Sequence, residues 1–282
     1  MAIEQSDGSR TGTPPVAQPR GSLDPEERRA ALDEIAAEVR VCTRCRLWET
    51  RTNAVPGEGH ADTEVVFVGE GPGQNEDVQG RPFVGAAGTF LTELVRSVGW
   101  RREEVFITNV VKCRPPGNRD PEPDEMSACA PYLKRQLAVL DPALVVTLGR
   151  FSLQTFMPGA RIGAVHGTVR AAEPTAGAAH AHAYAMYHPA AAFRQQALRE
   201  TLQVDMTGIP AALESARRAR PSEQAPERMK PEPATHVPAT ADHVTRTPEP
   251  LENPVPETPR EDAHATASPI TEMSDDQMSL FR

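Results

Sequence analysis

Four short, almost wholly apolar runs limit what this chain can become: Val65–Val68, Val105–Val110, Leu144–Leu148 and Tyr184–Tyr187. Each is too short for a typical helix and lacks the alternation of a strand with one wet face. They predict strands buried on both faces of a parallel sheet. Helical patterns separate them. Residues 25–41 place Leu32, Ile35, Ala36 and Val39 on one face, with Asp24 positioned to cap the start. Residues 89–98 carry Phe90, Leu91, Leu94, Val95 and Val98 at helical spacing, and 123–140 and 190–206 form two more helical patterns. Strands alternating with helices predict an α/β chain folded as a three-layer α/β/α sandwich. In such sheets ligands bind beyond the carboxyl ends of the strands. Three polar segments fall there: GEGPGQNED after the first strand, NVVKCRPPGNRD at the second, and YHPAAAF after the fourth.

Composition sets the limits of this domain. Eleven of the 28 prolines lie between Pro221 and Pro269, and no aromatic follows Arg217 until Phe281. Such a stretch cannot bury enough apolar surface to offset its ordering entropy. The expected organisation is a disordered tail over 1–22, one domain over 23–215, and a disordered Pro-rich acidic tail over 216–282. The net charge of −9 argues against a general nucleic-acid binder only if taken whole. Ten acidic and three basic residues lie from Pro231 onward, so much of the acidity belongs to the tail, and local basic clusters decide phosphate contacts. The first 30 residues lack the apolar run of a signal peptide, and no stretch approaches a membrane span. A cytoplasmic, nucleoid-associated monomer is expected.

The first polar segment looks at first like a nucleotide cradle. Gly69, Gly71 and Gly73 are spaced G-x-G-x-G with Pro72 between them, so neither the dinucleotide nor the P-loop pattern is met. No lysine follows to reach a phosphate, and Glu70 puts a carboxylate where phosphate oxygens would sit. The glycines therefore answer some other need for close backbone approach.

The cysteines Cys42, Cys45, Cys113 and Cys129 read as C-x2-C, a long gap, then C-x15-C. Without an export signal they are poor disulfide candidates, and their paired use points to a four-thiolate site. Spacing alone leaves zinc and an iron–sulfur cluster open.

Taken together, VCTRCRL, GEGPGQNED, GRPFVGAAG, TNVVKCRPPGNRDP, VVTLGR, IGAVHG and YHPAAAFR resemble the family 4 uracil-DNA glycosylases, over residues 30 to 208. The resemblance implies a central four-stranded parallel sheet, removal of uracil from DNA, and a 4Fe–4S cluster on Cys42, Cys45, Cys113 and Cys129, with zinc less favoured. It implies a monofunctional glycosylase that leaves an abasic site for base excision repair. The alternative is a uracil- or DNA-binding module without chemistry.

A glycosylase must extrude its target base into a tight pocket. Gly69 and Gly71 would admit the flipped uracil, and the resemblance puts Glu70 beside the scissile bond to orient water or position substrate. Phe83 is similar to the aromatic on which the base stacks. Asn109 offers an amide whose acceptor and donor match uracil N3–H and O4 but not cytosine. His188 would donate to the departing uracil anion. Arg81, Lys112, Arg114 and Arg119 are the expected DNA contacts, with Arg194 a further candidate. The loop KCRPPGNRDPEPDE lacks the histidine by which a related branch traps its product covalently, so turnover is expected.

The chain's last segment, DDQMSLFR, stands apart from the tail. Gln277, Met278, Leu280 and Phe281 resemble short peptides that dock bacterial repair proteins on the sliding clamp, and a flexible tether ending so would raise local concentration near DNA.

Overall fold

The computed structural model of this chain describes residues 23–220. Residues 1–22 and 221–282, and with them the peptide Gln277–Phe281, lie outside the described residues; the expected tail's first residues, 216–219, instead continue a helix. Helix α1 (Pro25–Arg40) begins as the sequence requires: Asp24 Oδ1 accepts from Glu26 and Glu27 N–H, and Glu27 reaches back to the Asp24 N–H at 2.8 Å. Such a reciprocal cap satisfies amides that the first turn leaves without partners.

The strands are β1 (Glu58–Gly59), β2 (Val65–Gly69), β3 (Phe106–Asn109), β4 (Leu144–Leu148), β5 (Val169–Ala171) and β6 (His182–Met186). They form one sheet in the order β1-β3-β2-β4-β6-β5. The inner four, β3-β2-β4-β6, run parallel, as the apolar runs predict. The outer two differ from expectation: β1 pairs antiparallel with β3, and β5 antiparallel with β6, giving a six-stranded mixed sheet. Both are only two or three residues long and partly exposed, too short to show a period in sequence.

Alternate residues of each inner strand face opposite layers. Val65, Phe67, Ile107 and Val146 pack with α3 (Ala86–Ser97) and α7 (Ala197–Ala219), whereas Val66, Val68, Phe106 and Val145 pack with α1 and α4 (Pro123–Leu140). Two cores on one sheet make the three-layer sandwich. The expected helix over 190–206 is instead a 3-10 turn, Pro189–Phe193, followed by α7, which starts later and runs four residues past Ser215. Short helices α2 (Gln74–Gln79), α5 (Arg150–Phe156) and α6 (Ile162–Val165) lie in the connections between these elements. Among the described residues, no helix is long and apolar enough to cross a membrane.

Candidate active site

Strand β2 delivers the chain into Gly69–Gly73 at the carboxyl edge of the sheet. Gly69 is the closest approach. A Cβ there would lie 2.6 Å from Phe83 Cζ and would also strike Asn109 Oδ1, so only a bare backbone fits under the ring and the amide. At Gly71 a Cβ would sit 2.8 Å from Val111 Cγ2. Beyond the end of the sheet, Val110 N–H donates to Gly69 O at 3.0 Å and Val111 N–H to Glu70 O at 3.1 Å. The loop after β2 is thereby fastened to the segment after β3. Glu70 itself is partly buried; burial and the negative Asp120 push its carboxyl above the ordinary range, with Arg150 opposing them.

Phe83 holds a backbone conformation rare for a bulky residue, φ 49°. Its surroundings fix it there. Glu76 Oε1 accepts from Val84 and Gly85 N–H at 2.9 and 2.8 Å, Arg102 donates to the Phe83 carbonyl at 3.1 Å, and Gly88 leaves the room that this carbonyl needs. The ring stacks on His188, with centroids 5.7 Å apart and planes 28° from parallel. His188 Nδ1 accepts from Ala190 N–H at 3.1 Å, which leaves the proton of a neutral ring on Nε2. Burial pushes the His188 pKa down to about 4, slightly offset by the carboxylate of Glu76. Asn109 ends β3 with 1% exposure, and its Oδ1 has no hydrogen-bond partner. A buried amide oxygen without a partner costs about 1–3 kcal/mol, so it points to a missing donor.

Glu70, Phe83, Asn109, Arg119, Tyr187 and His188 all line one open cleft of about 580 Å³. Phe83 gives it an aromatic face, Asn109 an unpaired acceptor, Glu70 a carboxylate and His188 a neutral imidazole.

A second, smaller pocket is lined by all four cysteines. Arg51 donates to Cys113 Sγ at 3.0 Å and the Lys112 backbone N–H to Cys129 Sγ at 3.2 Å. Sulfurs receiving N–H donors suit thiolates, so the donor set fits a thiolate-bound group. Among the described residues, no three His, Cys, Asp or Glu donors stand in a single-ion grouping.

A sequence profile of the Uracil DNA glycosylase superfamily matches residues 56–206. The type-4 uracil-DNA glycosylase of Sulfurisphaera tokodaii is 46% identical over 188 residues, covering 64% of this chain and 83% of that protein. This chain belongs to the type-4 uracil-DNA glycosylases. The type-4 protein of Thermotoga maritima is 53% identical over 135 residues, 48% of this chain and 70% of that one. A type-5 protein from Thermus thermophilus is 34% identical over 118 residues, covering 36% of this chain and 53% of that protein.

In this type-4 glycosylase the rim cations are not placed as their charge alone suggests. Lys112 is a correction: it is 1% exposed, its ammonium faces inward, and burial pushes its pKa down to about 8, so it cannot touch DNA. Arg119 lines the cleft but grips the fully buried Glu125 with two hydrogen bonds, at 2.6 and 2.9 Å. Arg81 pairs with Glu58 at 2.7 Å and Arg114 donates to Asn118 Oδ1 at 2.8 Å; neither borders the cleft. Several cleft residues escaped the sequence reading. Arg150, paired with Asp120, lay in VVTLGR, which was quoted only as part of the family resemblance, and Glu76 lay in GEGPGQNED, whose glycines and Glu70 drew the argument. Tyr187 stands beside His188 and was counted only as the end of a strand.

Proposed function

We propose that this chain excises uracil from DNA, hydrolysing the N-glycosidic bond and leaving an abasic site. The observation that carries the site reading is the unpaired Asn109 Oδ1 at the back of the aromatic cleft. A flipped uracil stacked on Phe83 presents N3–H to that oxygen and O4 to the amide nitrogen; cytosine presents the reverse pattern. Glycosidic cleavage moves the bonding pair onto the base. His188, neutral with its proton on Nε2, donates to uracil O2 and stabilises the anion. Glu70 as carboxylate stabilises the cationic sugar and takes a proton from the water that adds at C1′. Gly69 and Gly71 let the backbone lie against the base.

Cys42, Cys45, Cys113 and Cys129, which line one pocket, would hold a 4Fe–4S cluster through their thiolates. The family resemblance supports this over a single zinc, and among the described residues no three such donors stand in a single-ion grouping. Bound there, such a group would cross-link the segment after α1, the segment after β3, and α4. DNA phosphates are met by Arg114 and Arg81, whose side chains reach solvent, and by Arg194 at the cleft mouth. We take the glycosylase domain as 23–215 together with the last turn of α7. Gln277, Met278, Leu280 and Phe281 dock the enzyme on a sliding clamp in the cytoplasm, and the enzyme works as a monomer. Removing the last six residues should abolish clamp binding and leave excision intact.

The test is alkali cleavage of a labelled oligonucleotide carrying one uracil, after incubation with protein and no added metal. Breakage only after alkali marks an abasic product. An intact strand from folded, brown protein would refute the activity.

A further inference from the structure

Lys112 is among the most deeply buried large side chains of the described residues. Its Nζ donates to the Asn109 carbonyl at 2.8 Å, to Gln136 Oε1 at 2.7 Å and to Thr108 Oγ1. All three acceptors are neutral. An ammonium buried among neutral oxygens is a poor way to gain stability, because an apolar side chain of similar volume avoids the desolvation cost. What an ammonium offers instead is three donors on one atom, and here they tie the last two residues of β3, Thr108 and Asn109, to Gln136 of α4.

The network extends outward from that point. Gln136 Nε2 donates to Pro56 O at 2.8 Å, and Thr108 Oγ1 to the same carbonyl at 3.0 Å. The Lys112 backbone is fixed as well: its N–H meets Cys129 Sγ and its carbonyl accepts from Val55 N–H at 2.7 Å. Between Asn109 and Lys112 lie the two amides that hold Gly69 and Glu70. The four residues 109–112 thus connect the unpaired amide, the glycine-rich loop and the cysteine pocket, and Lys112 closes the run back onto its first member.

We propose that Lys112 is a positioning residue of the base pocket, fastening the end of β3 so that the Asn109 amide stays aimed into the cleft. The proposal rests on the reading of Asn109 as the group that recognises the base. Asn109 cannot fix its own Oδ1 before substrate arrives, since that atom has no partner. Its direction is set by the backbone that carries it, and the Lys112 ammonium holds the carbonyl of that backbone.

The test is a double-mutant cycle on uracil excision with Lys112→Met and Asn109→Ala, each variant checked for iron content and melting midpoint. Lys112→Met should lower kcat/KM by about tenfold to a hundredfold alone, the range for an unmade buried hydrogen bond. In the Asn109→Ala background it should cost less than about threefold, because residues acting through one another are not additive. A general loss of structure would instead lower activity by the same factor in both backgrounds. Equal factors, or undiminished activity in the folded Lys112→Met protein, overturn the proposal while leaving the base-recognition reading intact. Full excision by Asn109→Ala alone brings down that reading and the proposal with it. Should Lys112→Met fail to fold, Gln136→Leu, which removes one acceptor and keeps the ammonium, enters the same cycle with the same outcomes.

Discussion

The rings of Phe83 and His188 lie stacked, 5.7 Å between centroids, although 105 residues separate them in the chain. One is held by the loop before α3, the other by the end of β6. On the proposed reading, the contact joins the group that would receive a base to the group that would stabilise its developing charge.

The two rings should nevertheless fail differently. Phe83→Leu removes the stacking face and should raise KM by about tenfold with a smaller effect on kcat, since base stacking contributes about 1–3 kcal/mol. His188→Ala removes a donor needed only as charge develops, and should lower kcat by about a hundredfold to a thousandfold. Steady-state kinetics on a single-uracil duplex separate the two. A KM effect from His188→Ala with kcat unchanged would remove its assigned role.

Gly69→Ala is a substitution of one methyl with nowhere to go. The new Cβ would meet Phe83 Cζ and Asn109 Oδ1. Excision should fall at least as far as for Asn109→Ala, about tenfold to a hundredfold. Competition by free uracil should weaken in parallel. A variant that keeps wild-type uracil competition would show that the cleft, as described, is not where the base sits.

The pH profile follows from the two titrating groups. Burial lowers His188 to about 4, so its neutral form persists far below the ordinary imidazole value and no limb belongs to it near pH 6.5. Glu70 is raised by burial and by Asp120, and in the proposed function its carboxylate is the form that acts. Activity should therefore be lost as pH falls through the raised Glu70 value, above the usual carboxylate range. Arg150 opposes that rise, so Arg150→Ala should move the acid limb to higher pH. Asp120→Asn should move it lower. No movement in either variant would exclude Glu70 as the titrating group.

Cys42→Ser tests the cysteine pocket. Loss of one thiolate should release iron and visible colour and lower the melting midpoint before it alters the chemistry of any protein still folded. Iron analysis, absorbance and thermal unfolding read this out. A stable, colourless and inactive variant would assign the cluster a part in the reaction itself.

The inner sheet was legible because strands buried on both faces write themselves as unbroken apolar runs, and Leu144–Leu148 matches its run residue for residue. α4 was equally clear, opening on Pro123 and ending as the chain turns left-handed at Asp141. The edges were not, since Glu58–Gly59 and Val169–Ala171 owe their conformation to a neighbouring strand and carry no period of their own. Among functional residues, those tied to a motif at a strand end came together in the cleft. Charge without context misled: Lys112 and Arg119 share a segment with solvent-facing Arg114, and only the fold shows that one is buried and the other committed to Glu125. Glu76 escaped because its work is done on backbone amides eight and nine residues ahead.

The order β3-β2-β4-β6 has a consequence for how this protein can change. Asn109, the glycine loop, Arg150 and His188 each follow a different one of these strands, and neighbouring strands stand about 4.8 Å apart. The sheet therefore works as a ruler, placing the backbones that carry Asn109 and His188, the two groups proposed to face a base, three intervals, about 14 Å, apart. Hydrogen bonds between strands set those intervals, and side chains in the outer layers do not. Helices on either face can be repacked or lengthened over time without changing the gauge, whereas a single register slip between two inner strands would mis-size the pocket at once.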